Sequence, residues 1–267
     1  MNNTPIKKIR SVFTVKNKSF LTPHFIRVVF DIREDQLPLL SEVTSGSNNK
    51  IFIPPKGVKL IYFPERGREI NSELVAKVRT YTNRSIDLEK RELTIDFVVH
   101  GENGPASAWA INAQAGDCLG IGMKQSHKPI LPNLESYLLV GDATAVPVIS
   151  AILEQLAVGV TAKVFLEVTE KSDELMLCSA ASVDIRWLYN PEPERGSLLS
   201  HCIKQFQMNN PAQNNFVFVA AEYSTVKDLK VFFRVQLGWD PDFISTTTYW
   251  KSGASEEATV EKQQGTL

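Results

Sequence analysis

Within four residues, Arg79-Thr80-Tyr81-Thr82, the chain carries a guanidinium, a phenol and two hydroxyls, and an apolar run and a glycine-bearing turn follow. Alternate side chains of an extended strand share a face, so Arg79 and Tyr81 point one way and Thr82 joins them through a slight turn. An aromatic plane beside a cation and a donor suits a flat, phosphorylated ring. Leu93-Thr94-Ile95-Asp96-Phe97-Val98-Val99-His100 reads as a second strand. Gly101-Glu102-Asn103-Gly104-Pro105-Ala106-Ser107-Ala108-Trp109 reads as a turn opening a helix, with Pro in the first turn and Ser nearby. Free backbone N–H groups and the helix dipole attract phosphate at such a turn. Taken singly, these features also describe an exposed strand and an ordinary strand-to-helix connection. Their order and spacing together point to a ligand.

Composition narrows the classes. A length of 267 residues allows one large or two medium domains with ample core. With 43% hydrophobic and 22% charged residues, neither a disordered nor a fibrous chain is expected. A net charge of −1 argues against general nucleic-acid binding, which needs a cationic excess or patch. No apolar run is long enough to span a bilayer, and Met1-Asn2-Asn3-Thr4-Pro5 lacks the apolar core of a signal peptide, which points to the cytoplasm. Cys118, Cys178 and Cys202 are far apart and odd in number, so they read as reduced thiols. His24, His100, His127 and His201 form no metal-ligand spacing, and no protein-held catalytic metal is expected. A monomer is the default state.

Two kinds of element must position these residues. In the first half, short strands recur: Lys7 to Lys18, Phe25 to Phe30, Ile51 to Pro55, Lys59 to Pro64, Lys77 to Thr82, Leu93 to His100 and Asp117 to Ile121. Such spacing predicts an antiparallel β-barrel of about six strands, with a helix over Pro105 to Asn112 across one end. From Ser136 the pattern becomes β, turn, α. Apolar strands at Tyr137 to Val140, Ala162 to Val168, Ile185 to Tyr189 and Asn215 to Ala221 alternate with helices at Val146 to Leu156, Ser197 to Gln207 and Thr225 to Leu237. A last strand runs from Ile244 to Tyr249. This predicts a Rossmann-like parallel α/β domain. Expected boundaries are 1–132 for the barrel, 133–253 for the α/β domain and 254–267 for a mobile polar tail.

The ordered set Arg79-Thr80-Tyr81-Thr82, Asp96-Phe97-Val98-Val99-His100-Gly101, Gly104-Pro105-Ala106-Ser107-Ala108-Trp109, Gly141-Asp142-Ala143-Thr144-Ala145-Val146-Pro147 and Tyr249-Trp250-Lys251-Ser252-Gly253 resembles the siderophore-interacting protein family. That family is a branch of the ferredoxin-reductase-like flavoproteins. The resemblance implies a barrel that binds FAD, a following NAD(P)H-binding-like domain, and reduction of ferric siderophores. It implies that Tyr81 lies against the isoalloxazine, Arg79 neutralises the pyrophosphate, and Thr82 bonds near the reactive flavin nitrogen, making Tyr81 and Thr82 the catalytic candidates. Asp96 and His100 would line the ribityl and adenine side, the backbone at Ala106 and Ser107 and the Ser107 hydroxyl would receive the phosphates, and Val98 and Trp109 would complete the cofactor site.

In the second half, the resemblance assigns Asp142, Thr144 and Ala145 to cofactor binding, at a turn that has Ala143 where the family usually has an acid and that lacks G-x-G-x-x-G. Glu222 matches another acidic strand end, or serves as a helix cap. Asn190 stands where NADPH users often have Arg, so NADH is favoured over NADPH, with ferredoxin as a further donor. An anionic ferric siderophore would meet Lys59, Lys124, Lys128 and Lys251. The competing readings are a general flavin or ferredoxin-linked oxidoreductase of the same fold, and a non-catalytic siderophore-binding protein.

Overall fold

A computed structural model describes residues 8–58, 60–63, 71, 73–102, 104–126, 129–206 and 214–254. The chain forms two compact units that divide between Ile130 and Leu131. No helix among the described residues is long and apolar enough to cross a membrane.

The first unit is built on strands β1 (Lys8–Thr22), β2 (Phe25–Asp31), β3 (Asn48–Ile53), β4 (Lys77–Thr82), β5 (Ser85–Asp87), β6 (Glu92–Val98) and β7 (Cys118–Lys124), with helices α1 (Leu37–Leu40) and α2 (Pro105–Asn112). They form one seven-stranded antiparallel sheet in the order β4-β3-β7-β1-β2-β6-β5. Its two edges, β4 and β5, are separated in sequence only by Asn83 and Arg84. Laid flat, the outer strands of such a sheet would stand roughly 29 Å apart, and three peptide steps reach about 10 Å, so the sheet must curl. The expected closed six-stranded barrel is thus a curled half-barrel of seven strands.

Two differences from expectation explain the count. Short β5 sits inside a charged stretch whose side chains give no strand pattern, and pairing with β6 is what holds it extended. Of the strand piece expected from Lys59 to Pro64, Tyr62 makes a single isolated bridge to Val75, and both ends lie outside the described residues. Inside the curl, Phe13, Phe30, Ile51, Leu93, Ile95, Phe97, Leu119 and Ile121 are fully buried. Alternation along each strand carries them all to one face.

The second unit contains β8 (Ser136–Asp142), α3 (Val146–Gln155), β9 (Thr161–Val168), β10 (Ser182–Tyr189), α4 (Leu199–Gln205), β11 (Asn215–Glu222), α5 (Tyr223–Val231) and β12 (Ile244–Trp250). Its five strands are all parallel, in the order β10-β9-β8-β11-β12. Leu138 and Val140 pack with Leu199, Ile203, Val226 and Leu229, so α4 and α5 cover one face. On the opposite face α3 reaches the sheet at Gly141. A Cβ there would lie 2.5 Å from Ala145 Cβ, 2.9 Å from Ile149 Cδ1 and 3.1 Å from the Ala220 carbonyl oxygen. The Ile149 side-chain end could shift, but the Ala145 Cβ and the Ala220 carbonyl oxygen are fixed by their backbone and cannot yield cheaply. Gly141→Ala is therefore expected to destabilise the protein by about 2–3 kcal/mol, read as a lowered urea midpoint with unchanged slope.

Candidate functional site

Tyr81 and Arg79 lie two apart on β4, and their Cα partners on β3 are Asn49 and Ile51. Directly opposed residues share a face, so both side chains belong to the core side of the sheet, where each is half-exposed. The Tyr81 ring rests on Phe97 of β6, centroids 4.7 Å apart, and Phe97 in turn meets Trp109 of α2 at 5.6 Å. Trp109 stacks on Phe30 with an interplanar angle of 11°. A row of three rings, Phe97, Trp109 and Phe30, thus backs Tyr81 from below while part of it stays open. Arg79 donates from Nη1 to the Val78 carbonyl at 2.8 Å. Thr82, expected beside them, is buried on the opposite face.

The turn into α2 is pinned by Ser107. Its Oγ donates to the Gly101 carbonyl at 2.6 Å and accepts from the His100 N–H at 3.2 Å. The hydroxyl expected to meet a phosphate is therefore engaged within the turn, and what α2 offers is backbone N–H at Ala106 and Ser107, since Pro105 has none. Gly104 allows the closest approach: a Cβ there would fall 2.2 Å from His100 Cε1. A half-open aromatic face, a guanidinium beside it and a rigid helix N-terminus together fit a flat, phosphate-bearing cofactor such as FAD.

Asp96 alternates with Phe97 and faces the other way. Its buried carboxylate accepts a fork from Arg27, Nε to Oδ1 at 2.7 Å and Nη2 to Oδ2 at 2.8 Å, and Arg84 Nε stands 3.8 Å from Oδ2. Asp96 is thus a counter-ion that fixes the Arg27 guanidinium and lies close to that of Arg84, on the opposite face from Tyr81. Arg27 and Arg84 were not expected in the site. The sole sequence signal for Arg27 is a cation inside the apolar run Phe25 to Phe30, and its partner appears only with the register that sets it against Asp96. Val98 closes β6 opposite Phe25.

In the second unit, Asp142 ties three strand ends together. Oδ1 accepts from the Thr144 N–H at 2.9 Å and from its hydroxyl, while Oδ2 accepts from the Glu222 N–H and Trp250 Nε1, both at 2.8 Å. Burial pushes this carboxyl above the ordinary range, opposed by those four hydrogen bonds. Ala145 is packed against Gly141. Glu222 takes the helix-cap role: it accepts from the Ser224 N–H and hydroxyl and, at 3.2 Å, from the Ser252 N–H. Burial acts to raise its pKa, but these bonds outweigh it and hold the carboxyl below the usual range. A third carboxylate, Glu167 on β9, is paired in register with Asp142. It accepts from Asn190 Nδ2 at 3.1 Å, Ser197 Oγ at 3.1 Å and the Leu198 N–H at 2.6 Å.

Of the lysines, Lys124 is exposed at the end of β7, and Lys251 Nζ lies 4.9 Å from the centroid of the Tyr223 ring. Lys59 and Lys128 fall outside the described residues, as does the tail beyond residue 254.

Comparison with known proteins places this geometry. The family model described as siderophore-interacting FAD-binding domain matches residues 14–126, and that described as siderophore-interacting protein matches residues 134–253. Ferric vibriobactin reductase ViuB of Vibrio cholerae is 31% identical over 92% of this chain and 91% of its own. The crystal structure of the siderophore-interacting protein SipS from Aeromonas hydrophila, 27% identical, superposes with a TM-score of 0.77 over 96% of both chains. The ferredoxin reductase of carbazole 1,9a-dioxygenase, at 14% identity, shares the fold with a TM-score of 0.61 over 94% of this chain and 71% of its own.

Two outcomes follow from the carboxylates. Asp96→Asn leaves Arg27 and Arg84 without their counter-ion and is expected to cost about 2–3 kcal/mol in urea unfolding, less than a wholly buried pair because Arg27 is part-exposed. Because its folded pKa is lowered, Glu222 stabilises the fold above its ordinary value of 4.5, and that contribution is lost as pH falls through the folded value. Glu222→Gln should flatten the loss of stability below pH 4.5, measured by urea midpoints across the acid range.

Proposed function

The chain belongs to the siderophore-interacting protein family, and from that premise we propose that it reduces siderophore-bound ferric iron through FAD, releasing ferrous iron in the cytoplasm. The observation that carries this reading is the half-open Tyr81 ring, seated on Phe97 beside Arg79, in a unit that matches an FAD-binding domain. Hard oxygen donors hold ferric iron far more tightly than ferrous iron, so one electron per ion suffices to loosen the chelate. A bound flavin supplies acceptance of an electron pair as hydride and delivery of single electrons.

This chain's residues bind and orient. Residues 1–132 are the proposed FAD domain and 133–253 the proposed donor domain. Tyr81 presents a plane for the ring, Arg79 neutralises phosphate charge, and the N–H groups of Ala106 and Ser107 receive phosphate oxygens. Thr82, buried behind β4, holds the strand end that carries Tyr81. Asp96 acts through Arg27 and Arg84, and His100, Val98 and Trp109 shape the turn and its floor. Lys59, Lys124, Lys128 and Lys251 are the candidate cations for an anionic chelate.

NADH fits better than NADPH as a nicotinamide donor. Asn190 carries no guanidinium for a 2′-phosphate, and its amide nitrogen is engaged by Glu167 and, at 2.7 Å, the Gly196 carbonyl. One NADH then reduces two ferric ions with release of one proton. Reduced ferredoxin is the other donor to be tested.

The test is anaerobic. FAD-loaded protein is bleached with NADH, then titrated with ferric chelates in the presence of a ferrous trap. Return of the oxidised flavin spectrum together with trap colour supports the proposal. Reduction by NADH without turnover on any ferric chelate would replace it with a general flavin reductase, and a colourless protein that cannot take up FAD with a carrier. Arg79→Ala should weaken FAD binding about 10- to 100-fold, the loss of one charge-assisted phosphate contact, read by fluorescence titration.

A further inference from the structure

We propose that the outward face of α5, with the π-helical turn that follows it, docks the protein on an anionic membrane surface. The inward face of this helix, Val226, Leu229 and Phe233, is buried in the core. Outward, Lys227, Lys230 and Arg234 recur at helical spacing and are all exposed. None of the three forms an ion pair with another described residue, and the intervening Asp228 is already held by Lys204, with both carboxylate oxygens at 2.7 Å from Nζ.

Beside the cations stand three aliphatic side chains facing water: Val231 at 42%, Val235 at 75% and Leu237 at 46% exposure. The turn Phe232–Gln236 is π-helical, closed by the Leu237 N–H donating to the Phe232 carbonyl at 3.0 Å. It carries the exposed aliphatics past the end of α5.

Cations in a last helical turn balance the helix dipole, and that accounts for Lys230 and Arg234 alone. It leaves unexplained why three aliphatic side chains flank them in water. A row of cations bordering an aliphatic strip matches an interfacial helix, whose apolar side enters the acyl boundary while basic groups meet lipid phosphates. An acidic protein would satisfy the same charges. Lysine, however, is depleted from protein interfaces, whereas at a bilayer its long stem lies along apolar surface with the ammonium in the headgroups. Two of the three cations here are lysine. The chain's net charge of −1 adds no general attraction to anionic lipid, so the effect is local to this face and falls off within a Debye length of it.

The experiment is flotation of the full-length, FAD-loaded protein with vesicles of phosphatidylcholine alone or mixed with phosphatidylglycerol, at low and high salt. Recovery with mixed vesicles at millimolar lipid and low salt is expected to exceed that with neutral vesicles at least tenfold, and to collapse in high salt. The triple variant Lys227→Glu, Lys230→Glu, Arg234→Glu should lose this recovery, the double variant Lys227→Arg, Lys230→Arg should keep it, and Val235→Asn should lower it at low salt. Reduction of a soluble ferric chelate should be the same in all of them, which separates docking from catalysis. Equal recovery on neutral and mixed vesicles, or no difference between the glutamate variant and wild type, would overturn the proposal. So would a wild-type protein that ignores vesicles but is captured through this face by an acidic protein.

Discussion

The first unit is governed by a length of chain. Thr82, the last residue of β4, and Ser85, the first of β5, belong to opposite edges of one sheet, and only Asn83 and Arg84 lie between them. The chain cannot cross a flat sheet in that distance, so the sheet curls and brings the end of β4 to the start of β5. The polar groups of Asn83 are satisfied at this corner, while Asn49 Oδ1 beside it is buried without a hydrogen-bond partner. Asn83 is fully buried, its amide accepts from Asn49 Nδ2 at 2.7 Å and donates to Ser47 Oγ at 3.0 Å, and its N–H reaches the Ser47 carbonyl at 2.8 Å. Arg84 then donates its N–H to the Thr94 carbonyl at 2.9 Å and enters β5. Bending brings β4 over β6, and only then can Tyr81 rest on Phe97 and the Arg84 guanidinium approach Asp96.

The second unit solves a different problem, that of three helices starting from the carboxyl ends of parallel strands. Each start leaves N–H groups without intrahelical partners. Here each is met by a carboxylate from a strand end: Asp142 serves Thr144 ahead of α3, Glu167 serves Leu198 ahead of α4, and Glu222 serves Ser224 in α5. The places where a doubly wound sheet commonly receives pyrophosphate therefore hold the protein's own anions. A nicotinamide donor, as proposed, would have to be recognised by its ring and ribose rather than by its phosphates at these turns. That arrangement is also consistent with a turn that lacks the glycine fingerprint of dinucleotide sites.

How much of this could be read from the sequence depends on the range of each interaction. The parallel domain was legible because strands buried on both sides are continuous apolar runs, as in Phe216 to Ala221, and because α2 carries its own start signal in Gly104-Pro105. The ferredoxin-reductase-like fold and the family were legible in the order of five motifs. The seventh strand was not, since Ser85-Ile86-Asp87 owes its extension to β6 rather than to its own residues. Nor was the engagement of Ser107 within its turn, or the true neighbour of Asp96. A carboxylate in a strand looks the same whether it awaits a cofactor or an arginine, and the partner, Arg27, is 69 residues away. Glu167 was silent for the same reason: Ser197 and Leu198 approach it only after β10 has run beside β9.

That neighbour changes the electrostatic argument for the first unit. A buried carboxylate near a site for an anionic cofactor would ordinarily repel it, and Asp96 is only 4% exposed. Two guanidiniums share it, one by a fork and one at 3.8 Å, so the cluster as a whole is cationic. Replacing the carboxylate by an apolar group would leave two arginines repelling each other, and replacing the arginines would leave an unpaired buried anion. The net charge of the group therefore depends on all three residues together. The fork adds what a free arginine lacks, a fixed plane and direction. On this view the carboxylate is retained because it orients positive charge at low conformational cost. The same logic explains why Ser107 spends its hydroxyl on Gly101: a rigid turn presents backbone N–H groups in one arrangement, whereas a hydroxyl free to rotate would have to be ordered at the moment of binding.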